Sequence, residues 1–285
     1  MVAVSCSIER GAVTGEIEAV VQHYRLHYGL PRLVQRLLDG LRTKDQDVSC
    51  PTAADLRSVD QFHDGGLTAT EAMAAFAGVA PGLRVLDAGS GLGGTSRYLA
   101  ETFGVTVEAV DLTPEFIKAA EKLNRTYRLA GLIRSQVGNV TALPFGPAEF
   151  DLVWSHNVAM NVSDKVALLS EAFRVLRPGG RLVIACMTQG PNGPPFYPVP
   201  WAREPSYSFL DTPEALFSGL QAAGFQVVKT QVPSQGSRLS GRLARTADLG
   251  DDIAQCKAHT LRSDNAIRSV AEGRVRPILA LALKA

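Results

Sequence analysis

The chain has 285 residues, of which 46% are apolar and 20% charged, and its formal net charge is +1. These values are ordinary for a globular enzyme, and the balanced charge argues against electrostatic binding of nucleic acid or an acidic membrane. The four cysteines form no C-x-x-C pair, so the sequence indicates neither a zinc knuckle nor a dithiol redox motif. Neither a membrane span nor a secretory signal is recognisable, so we expect a cytoplasmic protein.

A segment near the start of the chain has a helical pattern. Apolar residues recur at intervals of three and four between Glu16 and Leu41, which predicts two helices divided by Pro31. His23 and His27 lie one helical turn apart and could hold a metal, but no third ligand is nearby. We therefore interpret them as one face of a helix that contacts solvent or substrate, and we predict no metal site.

A short polar segment precedes the next predicted helix, which runs from Thr68 to Val79. In this segment Phe62 and His63 are followed by Gly65 and Gly66, a composition that indicates a turn held close to another group. His63 is therefore a candidate catalytic residue. The alternative is a surface histidine that only caps the helix.

The stretch 85–100, VLDAGSGLGGTSRYLA, predicts a strand, a glycine-rich loop and a helix, which is how an open α/β sheet forms its ligand crevice. Gly89, Gly91 and Gly94 match the dinucleotide pattern G-x-G-x-x-G, a weak signal by itself. Asp87 would oppose a pyrophosphate but would favour S-adenosylmethionine (SAM), which carries an ammonium and a sulfonium. The alternative is a carboxylate that only binds N–H groups of its own loop.

Strands and helices then alternate, as in a parallel sheet. A predicted strand over Val105–Val110 ends in Asp111, which follows the glycine loop at the ~20-residue spacing of a ribose-binding carboxylate. Thr113 and Pro114 begin a helix that we expect to end at Gly131.

The fourth predicted strand, Phe150–Trp154, leads into a polar segment that begins at Ser155. Residues at the carboxyl end of a central strand face the crevice, so His156, Asn157 and Asn161 are candidates for a catalytic role. The alternative for His156 is a neutral, hydrogen-bonded residue that only shapes the pocket.

The second half of the chain completes the alternation. Asp164–Leu176 predicts a helix, Arg177–Gly180 a type II turn, and Arg181–Cys186 a strand in which Cys186 is a buried free thiol. The further predicted elements are a helix over Pro213–Ala223, a strand over Phe225–Val232, a helix around Asp252–Glu272 and a last strand over 276–283.

Residues 189–211, hereafter the insertion, follow the fifth strand. Five prolines and two glycines between Gln189 and Pro200 exclude regular structure, and Trp201, Tyr207 and Phe209 come next. Long irregular segments are more often functional than not, which favours a substrate lid over a plain surface connection.

The sequence D-A-G-S-G-L-G-G resembles the first motif of the class I SAM-dependent methyltransferases, and later motifs follow that family's order between Ser58 and Val232. The segment G-x-G-G-x-x-R-Y-L-A is similar to small-molecule enzymes of the sarcosine/dimethylglycine N-methyltransferase and tocopherol methyltransferase type. The resemblance implies a Rossmann-like α/β fold, a seven-stranded, mostly parallel sheet with helices on both faces and an antiparallel last strand.

The resemblance also implies the cofactor SAM and a set of residues that bind it. Asn139 stands where the family usually has an adenine-binding Asp, and an amide oxygen can accept the same hydrogen bond. The implied cofactor-binding residues are Asp87, Gly89, Gly91, Gly93, Asp111, Leu112, Asn139, Val140 and Ser155.

We therefore predict an enzyme that transfers a methyl group from SAM to a small molecule. An amine nitrogen is the first choice of acceptor, and a carbon or oxygen of an aromatic or prenylated compound is the alternative. Residues 1–66 would form a helical cap over a core of 67–285, and a homodimer is one expected assembly. Two further alternatives are an NAD-dependent oxidoreductase, for which we find no Tyr–Lys pair, and a SAM-binding protein without catalysis.

Overall fold

The structure is a computed structural model that describes residues 18, 20–22, 60, 61, 63, 65–232 and 253–285, the last range without the side chains of 253–260. Glu18 and residues 20–22 are helical, in agreement with the predicted first helix. The remainder of the two predicted N-terminal helices lies outside the described residues, as do His23 and His27.

A seven-stranded sheet forms the centre of the described part, in the order β3-β2-β1-β4-β5-β7-β6. Neighbouring strands are parallel except for β7, which is antiparallel to both β5 and β6. This is the predicted fold. The strands are β1 (Arg84–Ala88), β2 (Thr106–Asp111), β3 (Ile133–Val137), β4 (Phe150–His156), β5 (Leu176–Gln189), β6 (Phe225–Gln231) and β7 (Val275–Lys284).

Helices connect most of these strands, and their first residues explain where they begin. Asp164 accepts a hydrogen bond from the N–H of Ala167 at 2.8 Å, and Thr212 accepts one from Ala215 at 3.2 Å, so each satisfies a free donor of the first turn. The helices are α1 (Gly66–Ala77), α2 (Gly94–Phe103), α3 (Pro114–Thr126), α4 (Lys165–Val175), α5 (Pro213–Ala222) and α6 (Ile253–Ala271).

The sheet is buried on both faces, because crossover helices cover a parallel sheet from both sides. Successive residues of β1 therefore enter different cores: Val85 packs in one apolar cluster and Leu86 in the other, both fully buried. Cys186 is buried and free, which confirms the predicted buried free thiol, and this burial raises the pKa of the thiol to about 12.

Two predicted boundaries were wrong. Helix α3 ends at Thr126 rather than near Gly131, because Arg128 adopts a left-handed conformation with φ of 57° that cannot continue a helix. Strand β5 begins at Leu176, before the predicted turn. Its pairing with β4 jumps from Leu176 to Arg181, so the intervening residues loop out around Gly179, whose φ of 77° fits a type II turn.

None of the helices that the structure describes is both long enough and apolar enough to cross a lipid bilayer.

Candidate active site

A cavity opens at the carboxyl ends of β1, β2 and β4, where the order of the sheet places β1 between the other two strands. In open α/β sheets, ligands bind outside these strand ends. Nine of the predicted site residues line the cavity: His63, Asp87, Gly89, Gly91, Asp111, Leu112, Val140, His156 and Asn161.

The glycine loop forms the floor of this cavity and is held from two sides. The N–H groups of Gly89 and Ser90 both donate to the carbonyl of Val110, at 2.8 and 3.0 Å. A Cβ on Gly89 would lie 2.1 Å from Cγ2 of Val158, so only glycine fits between β2 and the segment after β4. Gly91 has φ of 53°, and a Cβ on it would meet no atom of the described residues within 4 Å.

Gly93 does not line the cavity. It is the N-cap of α2, where its φ of 78° turns the chain into the helix. The helix N-terminus that it initiates provides Gly94 and Thr95, which do line the cavity. Free N–H groups and a positive dipole end are features of such a terminus.

Asp87 is a buried carboxylate at the end of β1. Ser96 Oγ donates to its Oδ2 at 2.6 Å. Burial raises the pKa of Asp87 to about 6, and the nearby charge of Asp111 adds to that rise. A cationic ligand in the cavity would favour the ionised form of this carboxylate.

Asp111 connects the end of β2 to the glycine loop. Its Oδ2 accepts from the N–H of Gly91 at 2.9 Å, and its Oδ1 accepts from the N–H of Thr113 at 2.8 Å. Burial raises the pKa of this carboxyl as well. Each carboxylate oxygen has a second lone pair, so Asp111 can still accept hydrogen bonds from a ligand's hydroxyl groups.

Beyond Asp111 the cavity becomes apolar, with Leu112, Phe116 and Val140 in its wall. Two predicted residues in this region lie outside the wall. Asn139 Oδ1 accepts from the N–H of Thr141 at 2.9 Å within its own turn. Ser155 is buried facing a second, small cavity under α4, and its Oγ has no hydrogen-bond partner among the described residues.

The two predicted histidines meet at the opposite side of the cavity. The ring centroids of His63 and His156 are 3.8 Å apart, with an angle of 32° between the ring planes. Burial lowers the pKa of His156 well below its ordinary value, and the charge of His63 lowers it further. Nδ1 of His156 is buried without a hydrogen-bond partner among the described residues.

A buried ion pair fixes the segment that carries His63. Arg97 Nε and Nη2 donate to Oδ2 of Asp60 at 3.1 and 2.8 Å, and both side chains are shielded from solvent. The backbone of Asp60 packs against Gly94, where a Cβ would lie 2.3 Å from the Asp60 carbonyl oxygen. The segment therefore lies directly on the first turn of α2.

Asn161 anchors the insertion to the segment after β4. Its Nδ2 donates to the carbonyl oxygens of Trp201 and Tyr207, at 2.8 and 3.3 Å. Lys165 Nζ donates to the carbonyl of Phe209 at 2.7 Å, and Trp201 is buried and lines the cavity. The part of the insertion around Trp201 is thus a wall of the cavity rather than a surface connection.

Sequence reasoning missed the residues that hold His63, namely Asp60, Gln61, Thr70 and Arg97, all buried. An Arg and an Asp at non-periodic positions resemble ordinary surface residues. The one available signal was the place of Arg97 in the segment G-x-G-G-x-x-R-Y-L-A, and in the structure its guanidinium lies close to Gly93 of the glycine loop.

The donor set suits a cationic nucleoside such as SAM. The buried carboxylate of Asp87 and the partly buried carboxylate of Asp111 flank the glycine loop, and an apolar slot continues beyond Asp111. Within the described ranges, no three His, Cys, Asp or Glu side chains converge as metal ligands do.

The fold and these motifs define the chain as containing a class I SAM-dependent methyltransferase domain. Residues 86–184 match a family described as "Methyltransferase domain", and this segment belongs to that family. It includes the glycine loop, Asp87, Asp111 and His156.

Several known proteins are similar to the chain. Phosphoethanolamine N-methyltransferase 1 of Arabidopsis thaliana is 31% identical over 161 residues, which cover 56% of this chain and 32% of that protein. Chloroplastic tocopherol O-methyltransferase of the same plant is 40% identical over 101 residues, or 35% of this chain and 29% of that protein. The chain thus spans about a third of the length of these curated relatives.

A solved structure of Haemonchus contortus phosphoethanolamine N-methyltransferase 2 in complex with SAM matches with a TM-score of 0.68. The match covers 82% of this chain and 57% of that chain at 20% sequence identity. At this level of identity, the similarity confirms the fold alone.

Proposed function

We propose that the chain transfers a methyl group from SAM to a small-molecule acceptor. The observation that carries this proposal is the placement of Asp87 and Asp111 at adjacent strand ends, on either side of a glycine loop that shares one cavity with His63 and His156. The methyltransferase domain match over residues 86–184 supports the same reaction.

When bound, SAM supplies a methyl group on an electrophilic sulfonium. Asp87 would attract its positive charge, and Asp111 would accept hydrogen bonds from the ribose hydroxyls. Gly89, Gly91 and Gly93 would shape the loop on which the ligand lies, with Leu112 and Val140 beside the adenine. The roles of Asn139 and Ser155 remain predictions, because their side chains would have to turn from their present positions to reach the cavity.

The acceptor would occupy the side of the cavity where His63, His156 and Trp201 meet. Transfer needs little covalent help from the protein, because alignment of nucleophile, methyl and sulfur supplies much of the acceleration. The insertion would act as a lid that excludes water from the acceptor's lone pair, and its anchoring through Asn161 supports this role.

An amine is the first candidate acceptor, as the sequence resemblance implies. It can react once it has lost any extra proton. A hydroxyl acceptor is the second candidate, because two imidazoles line the cavity and one of them has a buried nitrogen with no hydrogen-bond partner among the described residues. A hydroxyl needs a base to accept its proton, which a histidine can provide. A cytoplasmic location and a homodimer remain predictions from the sequence.

Calorimetric titration tests the cofactor assignment. SAM, S-adenosylhomocysteine and NAD would be titrated into the wild type and into Asp111→Asn, which keeps one oxygen acceptor but removes the charge. We expect the wild type to bind SAM and S-adenosylhomocysteine but not NAD, with at least tenfold weaker binding in the variant. Binding of NAD without any response to SAM would overturn the proposal.

The reaction itself is tested by mass spectrometry. The protein and SAM would be incubated with a panel of amines, phenols and hydroquinones, and products heavier by one methylene unit would be sought together with S-adenosylhomocysteine. Binding of SAM without turnover of any acceptor class would favour the non-catalytic alternative.

A further inference from the structure

Asn157, the first residue after β4, has a left-handed backbone with φ of 58°. This conformation is uncommon for residues other than glycine, because the Cβ is crowded by the following carbonyl oxygen. Arg128 and Ala148 are the other such residues in the described part of the chain, and both are exposed. Of these three residues, Asn157 alone lines the cavity, and the proposed function gives it no role.

The left-handed conformation changes the side of the sheet that residue 157 reaches. Successive side chains of a strand point to opposite faces, and Val153 and Ser155 of β4 line the small cavity under α4. Continued alternation would place residue 157 on that face as well. Asn157 instead lines the main cavity, while its N–H donates to the carbonyl of Ala185 at 2.7 Å.

Contacts on either side of Asn157 place it between the two halves of the main cavity. His156, the residue before it, stacks on His63 with the ring centroids 3.8 Å apart. Val158, the residue after it, packs so closely on the glycine loop that a Cβ on Gly89 would lie 2.1 Å from its Cγ2. Asn157 therefore lies between the loop that would hold SAM and the histidines beside the acceptor. In the proposed function, the methyl group crosses this boundary.

We propose that Asn157 orients the methyl acceptor. Its Oδ1 accepts a hydrogen bond from the O–H or N–H of the reacting atom, which leaves the lone pair of that atom free to face the methyl carbon. This orientation keeps the reacting atoms aligned, on which the rate of transfer depends. The inference rests on the proposed function, because only a methyltransferase has an acceptor to orient.

The carboxamide of Asn157 has the chemistry that this role requires. It offers one oxygen acceptor and two N–H donors without carrying a charge, and it makes no hydrogen bond to another described residue. The reaction balances with the amide unchanged. The acceptor's lone pair forms the bond to the methyl carbon, the carbon–sulfur bond breaks with its pair left on sulfur, and the acceptor's proton leaves to solvent.

The residue type at position 157 is explained by the site rather than by the turn. Glycine adopts a left-handed backbone without steric cost, and the chain uses glycine at other left-handed positions of the cavity, Gly89 and Gly91. Glycine at position 157 would therefore serve the turn at least as well as asparagine. A side chain retained on such a backbone beside a cavity is typical of functional sites.

Glycine substitutions separate a role in the site from a role in the turn. The matched control for Asn157→Gly is Ala148→Gly, because Ala148 has a φ of 57° and lies exposed on the loop before β4. Each substitution relieves a left-handed backbone but adds entropy to the unfolded chain, so we expect the Tm of both variants within about 3 °C of the wild type. The Kd for SAM, measured by calorimetry, should change less than twofold in both.

Methyl transfer should distinguish the two variants. With whichever amine, phenol or hydroquinone of the panel reacts, we expect Asn157→Gly to lower kcat/KM by about tenfold or more, and Ala148→Gly to leave it unchanged. Full transfer by Asn157→Gly would overturn the inference. A large fall in Tm in Asn157→Gly alone would also overturn it, because the carboxamide would then hold the fold.

The variant Asn157→Asp identifies the atom that acts. Aspartate keeps an oxygen acceptor and tolerates a left-handed backbone, but its ionised side chain has no N–H donor. We expect this variant to retain most of the transfer that Asn157→Gly loses. Equal losses in the two variants would overturn the assignment to Oδ1.

NMR provides a readout that needs no turnover. In protein labelled with nitrogen-15 asparagine, the side-chain signal of Asn157 is the one missing from Asn157→Gly. The probes are phenol, hydroquinone and ethanolamine, each added together with S-adenosylhomocysteine. At least one probe should shift this signal, while the signal of the exposed Asn192 stays in place. No shift of the Asn157 signal with any probe would overturn the inference.

The two proposals fail in different ways. A wild type that does not bind SAM, or that transfers no methyl group to any acceptor class, would refute the proposed function. A wild type that binds SAM and transfers the methyl group, together with an Asn157→Gly variant that does so equally well, would refute this inference alone.

Discussion

The guanidinium of Arg97 and the carboxylate of Asp60 form an ion pair in which both side chains are almost completely inaccessible to water. The pair joins α2 to a segment 37 residues earlier in the chain. Because this segment carries Gln61 and His63, one buried contact decides both the docking of the segment and the position of the candidate base.

Removal of one partner of this pair should be severe. Arg97→Met leaves an uncompensated carboxylate in the interior, for which we expect a loss of about 3–5 kcal/mol in the free energy of unfolding. Urea denaturation measures this loss. The matched double variant Asp60→Asn/Arg97→Met removes both charges and should recover part of it. A loss below 1 kcal/mol in the single variant would show that the pair is not buried in solution.

Asp87 should make stability depend on pH. Its pKa is raised from 3.8 to about 6 in the folded protein, so between these values the unfolded state loses the proton first. Stability therefore falls as pH rises through this window, by about 3 kcal/mol for this group, and stays at the lower level above pH 6. Asp87→Asn should lack this fall. Equal slopes of unfolding free energy against pH in both proteins would contradict the assignment.

The same group should make SAM binding depend on pH. The ionised carboxylate attracts a cation, so the affinity for SAM should rise as pH increases through about 6 and level off above it. Calorimetry across this range measures the effect. In Asp87→Asn the affinity for SAM should be weaker, and it should rise less with pH because this carboxyl no longer contributes. A rise of the same size in that variant would assign the dependence to another group.

Two glycines allow the effect of backbone strain on stability to be separated from the effect of a blocked cavity on SAM binding. Gly91 and Gly104 have φ of 53° and 65°, and a Cβ on either would meet nothing within 4 Å in the described part of the chain. Alanine at each should cost a similar amount of stability, about 1–2 kcal/mol for the left-handed backbone. Only Gly91 lines the cavity, so only Gly91→Ala should weaken SAM binding. Equal SAM affinities in the two variants would contradict the cofactor position.

Asn161 should hold the insertion over the acceptor. Asn161→Asp replaces both N–H donors by an oxygen that faces the carbonyls of Trp201 and Tyr207, so the anchor should release. We expect the KM for the acceptor to rise about tenfold while the Kd for SAM changes less than twofold. Quenching of tryptophan fluorescence by acrylamide should increase. The added quenching reports on Trp201, because Trp154 is fully buried in the sheet.

The control for this experiment is Asn192→Ala. Asn192 also donates an amide hydrogen bond to a carbonyl, that of Glu272 at 2.7 Å, but it is exposed and lies near the start of the insertion. Its loss should leave Trp201 protected. Unchanged quenching in Asn161→Asp would mean that other contacts, such as the Lys165 bond to Phe209, suffice to hold the wall.

The sequence by itself determined the sheet-forming alternation, the glycine loop and the two carboxylates at adjacent strand ends. These features are readable because each depends on residues close together in the chain: an apolar strand, glycines where the backbone turns, and Asp87 or Asp111 at the strand terminus. The number of strands and the antiparallel last strand came from resemblance to a family rather than from local pattern, and the order of the strands came from the structure alone.

Only the tertiary structure decided how the side of the cavity that holds His63, His156 and Asn161 is built. His63 and His156 are candidates in the sequence, but their stacking depends on Asp60 docking against α2, and Arg97 gives no periodic signal of its burial. Asn161 is predicted as a catalytic residue, and the structure adds its contact with a loop some forty residues later. Contacts between distant segments depend on packing and charge pairing across the folded chain, which local patterns of polarity do not encode.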